Sequence, residues 1–185
     1  MSEAASSLRM TAHEFLRWDD GTDTRYELVN GHAVAMAPPA DRHGTIASNC
    51  VREIGQLLDD RTPCRAVSQA GVWVNDDNFY VADVAATCVS PSDSVAVLEP
   101  FLIVEVLSPS NEKTEMMVKV QAYIALPHVE EIWLIDSRKR WVQQWRRSGA
   151  EQWIVTLPLT GGQTFDSPTL GSAISVDRLY RNTEL

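Results

Sequence analysis

Apolar and polar positions repeat with two different periods along this chain, and the changes between them divide it into elements. TAHEFLRW, residues 11–18, offers Thr11 as a cap with Glu14 three positions on, the start of a short helix. In RYELVNGHAVAMAPP, Asn30-Gly31 between two β-type runs is the strongest hairpin signal of the sequence, and Pro38-Pro39 stops the second strand. From Asp41 the spacing lengthens. Ile46, Cys50, Ile54 and Leu58, with Leu57 beside them, form an apolar stripe that predicts a helix capped by Asp41 and ending near Arg61. RAVSQAGVWV, FYVADVAATC and FLIVEVLS read as strands, separated by the turn residues NDDN and the loop SPSDS. A second helix is expected over 112–126, then a strand at 130–136, EEIWLID. WVQQWRR and EQWIVTLPL continue as a meander to a short last element around SAISVDRLY. Residues 1–10 read as a loose tail. The order predicts an α/β fold: a mixed twisted sheet flanked by helices, with a C-terminal antiparallel β-meander, in a single domain over residues 1–185.

Three acids interrupt these apolar runs. Side chains alternate faces along a strand, so Glu105 in FLIVEVL shares a face with Phe101, Ile103 and Leu107. By the same alternation Asp83 lies between Val81 and Ala85, and Glu27 stands directly before the hairpin turn. An ionised carboxylate in such surroundings costs several kcal/mol even after relaxation. It must stay protonated, pair with a cation or bind a metal, unless it sits at a strand end in water. Two such carboxylates on adjacent strands suit a hard cation, magnesium or manganese. Lys119 lies in MMVKVQAY, a stretch with no other charge, with Tyr123 on the same side at spacing four. An ammonium there is able to position or deprotonate an attacking water and to offset phosphate charge.

Composition narrows the field without naming a function. The 185 residues carry a net charge of -9, from 25 acids against 16 bases, which counts against a general nucleic-acid coat but not against an enzyme whose acids hold metal. Three widely spaced cysteines, Cys50, Cys64 and Cys88, fit no zinc spacing and read as buried free thiols. The polar start MSEAASSLRM has no secretory pattern, and no apolar run is long enough for a membrane span, so a cytoplasmic protein is expected. SRKRWVQQWRR holds five bases and two tryptophans, which reads as a hairpin with Trp141 and Trp145 packed on one face before it reads as a nucleic-acid track.

The acids and the lysine carry a resemblance. YELVNG, APPADRHGTIASN, YVADV, IVEVLSPS, KVQAYIALPHVEEIWLID and SPTLGSAISVDRLY resemble, in that order and over residues 11–181, the Uma-two family of restriction-endonuclease-like domains in the PD-(D/E)XK nuclease superfamily. The resemblance implies that Asp83 and Glu105 are metal ligands, with the Val106 carbonyl as a third and Glu27 as an acid from the N-terminal region. It implies Lys119 as the active-site lysine, moved from the strand, where Leu107 now stands, to the following helix. His43 matches a family histidine that reaches phosphate or water, a surface or capping role being the alternative. With Tyr123 it makes the substrate-binding pair. Ala82 stands where the family pattern has proline, and NEKTEMMVK replaces a more polar run. The expected function is a magnesium- or manganese-dependent nuclease acting on nucleic acid, DNA foremost, as a homo-oligomer, with a dimer the simplest form. A non-catalytic oligomeric binding module on the same fold and a metal-free hydrolase using Glu105 as general acid are the alternatives.

Overall fold

A computed structural model describes residues 9–108 and 113–185. The capping box at Thr11 and Glu14 forms as expected and starts α1, Ala12–Phe15. The Asn30-Gly31 turn joins β1, Tyr26–Val29, to β2, His32–Ala35, with both turn residues at positive φ (50° and 80°). Met10, expected in a tail, is buried with Phe15, Leu28 and Phe79, and its N–H donates to the Gly31 carbonyl.

Ile46, Cys50, Ile54 and Leu58 of the predicted stripe are fully buried in α2, Asp41–Leu58, and Leu57 is partly buried beside them. Asp41 is the first helical residue, not the cap; Ala40 occupies that position without a side-chain bond. The helix also stops short of Arg61. Asn49, on the same helix, donates its amide to the carbonyls of Leu179 and Arg181, so α2 is tied to the segment around α4, Val176–Leu179.

β3, Arg65–Asn75, pairs antiparallel along the whole of β4, Asn78–Thr87. Its register sets Arg65 opposite Thr87, and one step beyond it Cys64 and Cys88 are joined as a disulfide. Two of the three thiols expected to be free are therefore paired, because the ladder brings them face to face; Cys50 alone is free, and buried.

The other edge of β4 serves two partners. β1 pairs near its start, Leu28 with Phe79, and β5, Leu102–Leu107, pairs at Val84, Ala85 and Ala86. The sheet thus forks between them, around residues 81–83. α3, Lys113–Ile124, carries the chain from β5 to the parallel strand β6, Glu131–Asp136. β7, Val142–Arg147, and β8, Trp153–Val155, extend the same sheet to the order β2-β1-β4-β5-β6-β7-β8. The expected C-terminal meander is therefore split: its first strands belong to the main sheet, and β9, Thr164–Ser167, and β10, Ser172–Ser175, form a separate hairpin.

Alternation in β5 divides the core. Leu102, Val104 and Val106 pack with the α2 stripe, whereas Ile103 packs with Val120 and Tyr123 of α3 on the opposite face. Glu131, buried at the start of β6, accepts from the Trp133 indole, the Gln144 amide, and the Ser167 and Thr169 hydroxyls, which fastens the hairpin to the sheet. No helix among the described residues is long and apolar enough to cross a membrane.

Candidate active site

The fork leaves backbone donors without ladder partners, and the acids take them. The Val81 N–H donates to Glu27 Oε1 and the Val106 N–H to Asp83 Oδ2, both at 2.7 Å. This accounts for Glu27 and Asp83: where two strands part, an acceptor on a side chain replaces the missing carbonyl. Glu27, Asp83 and Glu105 come from β1, β4 and β5, the three strands that meet there.

α3 supplies a cation to the same point. Lys119 Nζ lies 2.6 Å from Glu27 Oε1, 3.6 Å from Glu105 Oε1 and 5.5 Å above the Tyr80 ring. One turn later the Tyr123 hydroxyl donates to Glu105 Oε1 at 2.6 Å. Tyr123 is fully buried, and its hydroxyl is engaged by Glu105. From the opposite face, His43 in the first turn of α2 sets Nε2 3.3 Å from Asp83 Oδ2.

The electrostatics follow from burial and from the crowding of acids. Glu105 is 2% exposed. Burial pushes its carboxyl up to about 7, Lys119 opposes the rise, and Asp83 and Glu27 add to it. For Lys119 burial disfavours the charge, but Glu105 and Glu27 outweigh it and hold the amine above the usual lysine range. Lys119 is a cation here, which suits orienting a water and stabilising charge and does not suit taking a proton. Burial also works against a charged His43, yet the hydrogen bond and charge of Asp83, the Val106 carbonyl and Glu105 raise it overall.

The donor set is all hard oxygen, the chemistry that magnesium and manganese prefer. Among the described residues no three His, Cys, Asp or Glu side chains stand close enough to hold a metal as they are. Magnesium needs only one or two protein carboxylates and keeps waters for the rest, so Asp83 and Glu105 fit that requirement. The Lys119 ammonium meanwhile provides positive charge between Glu27 and Glu105.

All seven residues singled out from the sequence, Glu27, His43, Asp83, Glu105, Val106, Lys119 and Tyr123, gather at the fork. The basic run 137–147 does not join them: Arg138 pairs with Asp136, Arg140 with Asp177, and Arg147 donates to the carbonyls of Ile124, Leu126, Val129 and Ala150. Trp141 and Trp145 pack against the α3-side core, as expected. Tyr80 beneath Lys119 and Gln69 opposite Asp83 escaped the reading of the sequence; for Gln69 the signal was present, since Ser68-Gln69 breaks the alternation of RAVSQAGVWV.

Comparison with known proteins agrees with this architecture. A crystal structure described as that of "a putative nuclease belonging to DUF820 from Anabaena variabilis ATCC 29413" superposes with a TM-score of 0.74 at 19% identity, covering 92% of this chain and 97% of the other. Two proteins of Synechocystis sp. (strain ATCC 27184 / PCC 6803 / Kazusa) are similar in sequence. "Uncharacterized protein sll1609" is 26% identical over 84% of this chain and 91% of its own length, and "Uncharacterized protein slr1290" 24% identical over 97% and 96%. The model of the family Uma2, described as "Putative restriction endonuclease", matches residues 12–177. That stretch runs from α1 into α4 and takes in every residue of the fork, and on it the chain belongs to the Uma2 family.

Proposed function

We propose that the protein is a divalent-metal-dependent nuclease that hydrolyses phosphodiester bonds of nucleic acid, with DNA the expected substrate. The observation that carries this reading is the buried ammonium of Lys119 set between Glu27 and Glu105 at a fork that also holds Asp83. Asp83 and Glu105, with the Val106 carbonyl, are the groups that would hold magnesium or manganese, and Glu27 is the auxiliary acid. A cation of this kind, when bound, neutralises phosphate charge and makes water a better nucleophile.

The chain's own groups divide the remaining work. Lys119 orients a water and offsets developing negative charge, and Glu27, 2.6 Å away, fixes the direction of its amine. Tyr123 holds the Glu105 carboxyl in one rotamer through its hydroxyl. His43, which faces Asp83 from α2, would donate to a phosphate oxygen.

A plasmid-nicking assay in manganese tests the reading. Wild type is expected to nick, and Lys119→Ala and Asp83→Ala to lose at least about a hundredfold in rate while keeping their fold. Nicking that persists in Asp83→Ala overturns the site. Calorimetric titration with manganese should show binding that Asp83→Ala loses. The second reading, a non-catalytic oligomeric module, is favoured by the exposed Ile154, Val155 and Leu157 at the β8 end of the sheet. A concentration-dependent dimer with no nicking in any variant would select it.

A further inference from the structure

Beside the fork, on the α2 face, a cleft of about 330 Å³ runs between α2 and β3 and reaches Asp83 and His43. Its helical wall is Gly44, Ala47, Ser48 and Val51, a stripe of small side chains at helix spacing, and Ser68 and Gln69 stand on the β3 side. The space is not forced by the backbone. Among the described residues nothing stands within 4 Å of where a Cβ on Gly44 would sit, so alanine would fit there and would suit the helix better than glycine.

Gln69 adds a second observation. Its φ of 48° is a left-handed backbone, strained for a residue with a side chain, and it interrupts the ladder directly opposite Asp83, between the pairs Ser68–Val84 and Ala70–Ala82. The Gln69 side-chain oxygen accepts from the Arg25 guanidinium, which places a cation at the margin of the cleft. Among the described residues the lining contains no lysine or arginine.

This distribution separates the parts of a nucleotide. A phosphate requires the cations, which lie at the margin and at the fork. Away from Asp83 and His43 at its fork end, the cleft offers hydroxyls, an amide and small apolar groups, the surroundings of a neutral heterocycle. Its volume lies at the small end of ligand clefts, about 300–1,000 Å³, so it takes one nucleoside and no duplex. Because Asp83 belongs to both cleft and fork, a base lodged in the first is attached to a phosphodiester at the second. A base reaches such a slot only when it is neither stacked nor paired, and a single strand meets that condition without the cost of extrusion.

We infer that the cleft receives an unpaired nucleotide next to the scissile phosphodiester, so that single-stranded nucleic acid, or the frayed end of a duplex, is the substrate class of the site. This rests on the nuclease reading and deepens it.

Two leucine substitutions on one helix test it. Gly44→Leu adds a branched side chain at a cleft-lining position where the Cβ meets no neighbour; Gly55→Leu makes the same change where the Cβ is also free but outside the cleft lining. The anisotropy of a short labelled single strand and of a blunt hairpin duplex is titrated with the full chain in EDTA. Wild type and Gly55→Leu are expected to bind the single strand about tenfold more tightly, and Gly44→Leu to lose that preference with an unchanged or higher Tm. A wild type that binds the duplex as tightly, or a preference that survives Gly44→Leu, overturns the inference. Cleavage of the same two probes in manganese keeps the two readings apart. Strand-selective binding without cleavage defeats the nuclease and leaves the cleft as a single-strand site; cleavage of both probes at equal rates defeats the cleft and leaves the nuclease.

Discussion

Glu105 and Glu131 stand on neighbouring parallel strands, both closed off from solvent, at 2% and 0% exposure. Around Glu131 every lone pair has a neutral taker. Trp133 and Gln144 donate to one oxygen at 2.5 and 2.7 Å, and Ser167 and Thr169 to the other at 2.8 and 2.7 Å. Around Glu105, among the described residues, stand the Tyr123 hydroxyl as donor and an ammonium 3.6 Å away that is drawn closer to Glu27. The first glutamate is a rivet between sheet and hairpin. The second is buried beside two other acids, a condition that costs stability.

The contrast breaks most readily at the rivet. Glu131→Leu takes the acceptor from the buried Trp133 indole and breaks up a four-donor network, and is expected to cost about 3 kcal/mol, read as a lower midpoint in urea unfolding with an unchanged slope. A loss under 1 kcal/mol would mean that the network contributes little.

Glu105 sharpens the comparison through pH. Its folded pKa of about 7 lies above the unfolded value near 4.5, so between these two the native state holds a proton that the unfolded chain has released. Stability from this group is therefore full below pH 4.5 and declines as pH rises toward 7. Glu105→Gln removes the decline, and its stability relative to wild type should rise by about 3 kcal/mol from pH 4.5 to pH 8. A difference that is flat with pH would place an ordinary carboxyl at this position.

The smallest effects compare single donors. Ser167→Ala removes one of the hydroxyl partners of Glu131 and Tyr123→Phe the hydroxyl partner of Glu105. Each should cost about 1 kcal/mol, and only Tyr123→Phe should move the Glu105 titration, upward, since that hydroxyl lowers it. Carboxyl chemical shifts followed through pH give the readout.

The two glutamates were not equally legible. Glu105 sits in the middle of FLIVEVL, where alternation alone puts it among apolar neighbours, and the Lys119–Tyr123 spacing points both to one side of a helix. Glu131 follows Glu130 at the start of EEIWLID, a position that reads equally well as a solvated strand end, and three of its donors come from residues 144, 167 and 169, each more than ten positions away. The disulfide was hidden for a related reason. Counting cysteines gives an odd number, whereas pairing depends on the β3–β4 register, which places Cys64 across from Cys88. What was readable was local: turn residues, caps and stripes. What was not depended on which distant segments share a layer.

The Asn49 anchor sets an order of events during biosynthesis. The carbonyls that grip this amide belong to Leu179 and Arg181, 130 and 132 positions downstream, so the ribosome delivers them long after α2 has emerged. Until then the arm bearing His43 lacks its far fastening, while β1, β4, β5 and α3 can already assemble the lysine-and-acid half. A nascent chain of this design completes its half-site on one face of the sheet before the other is secured.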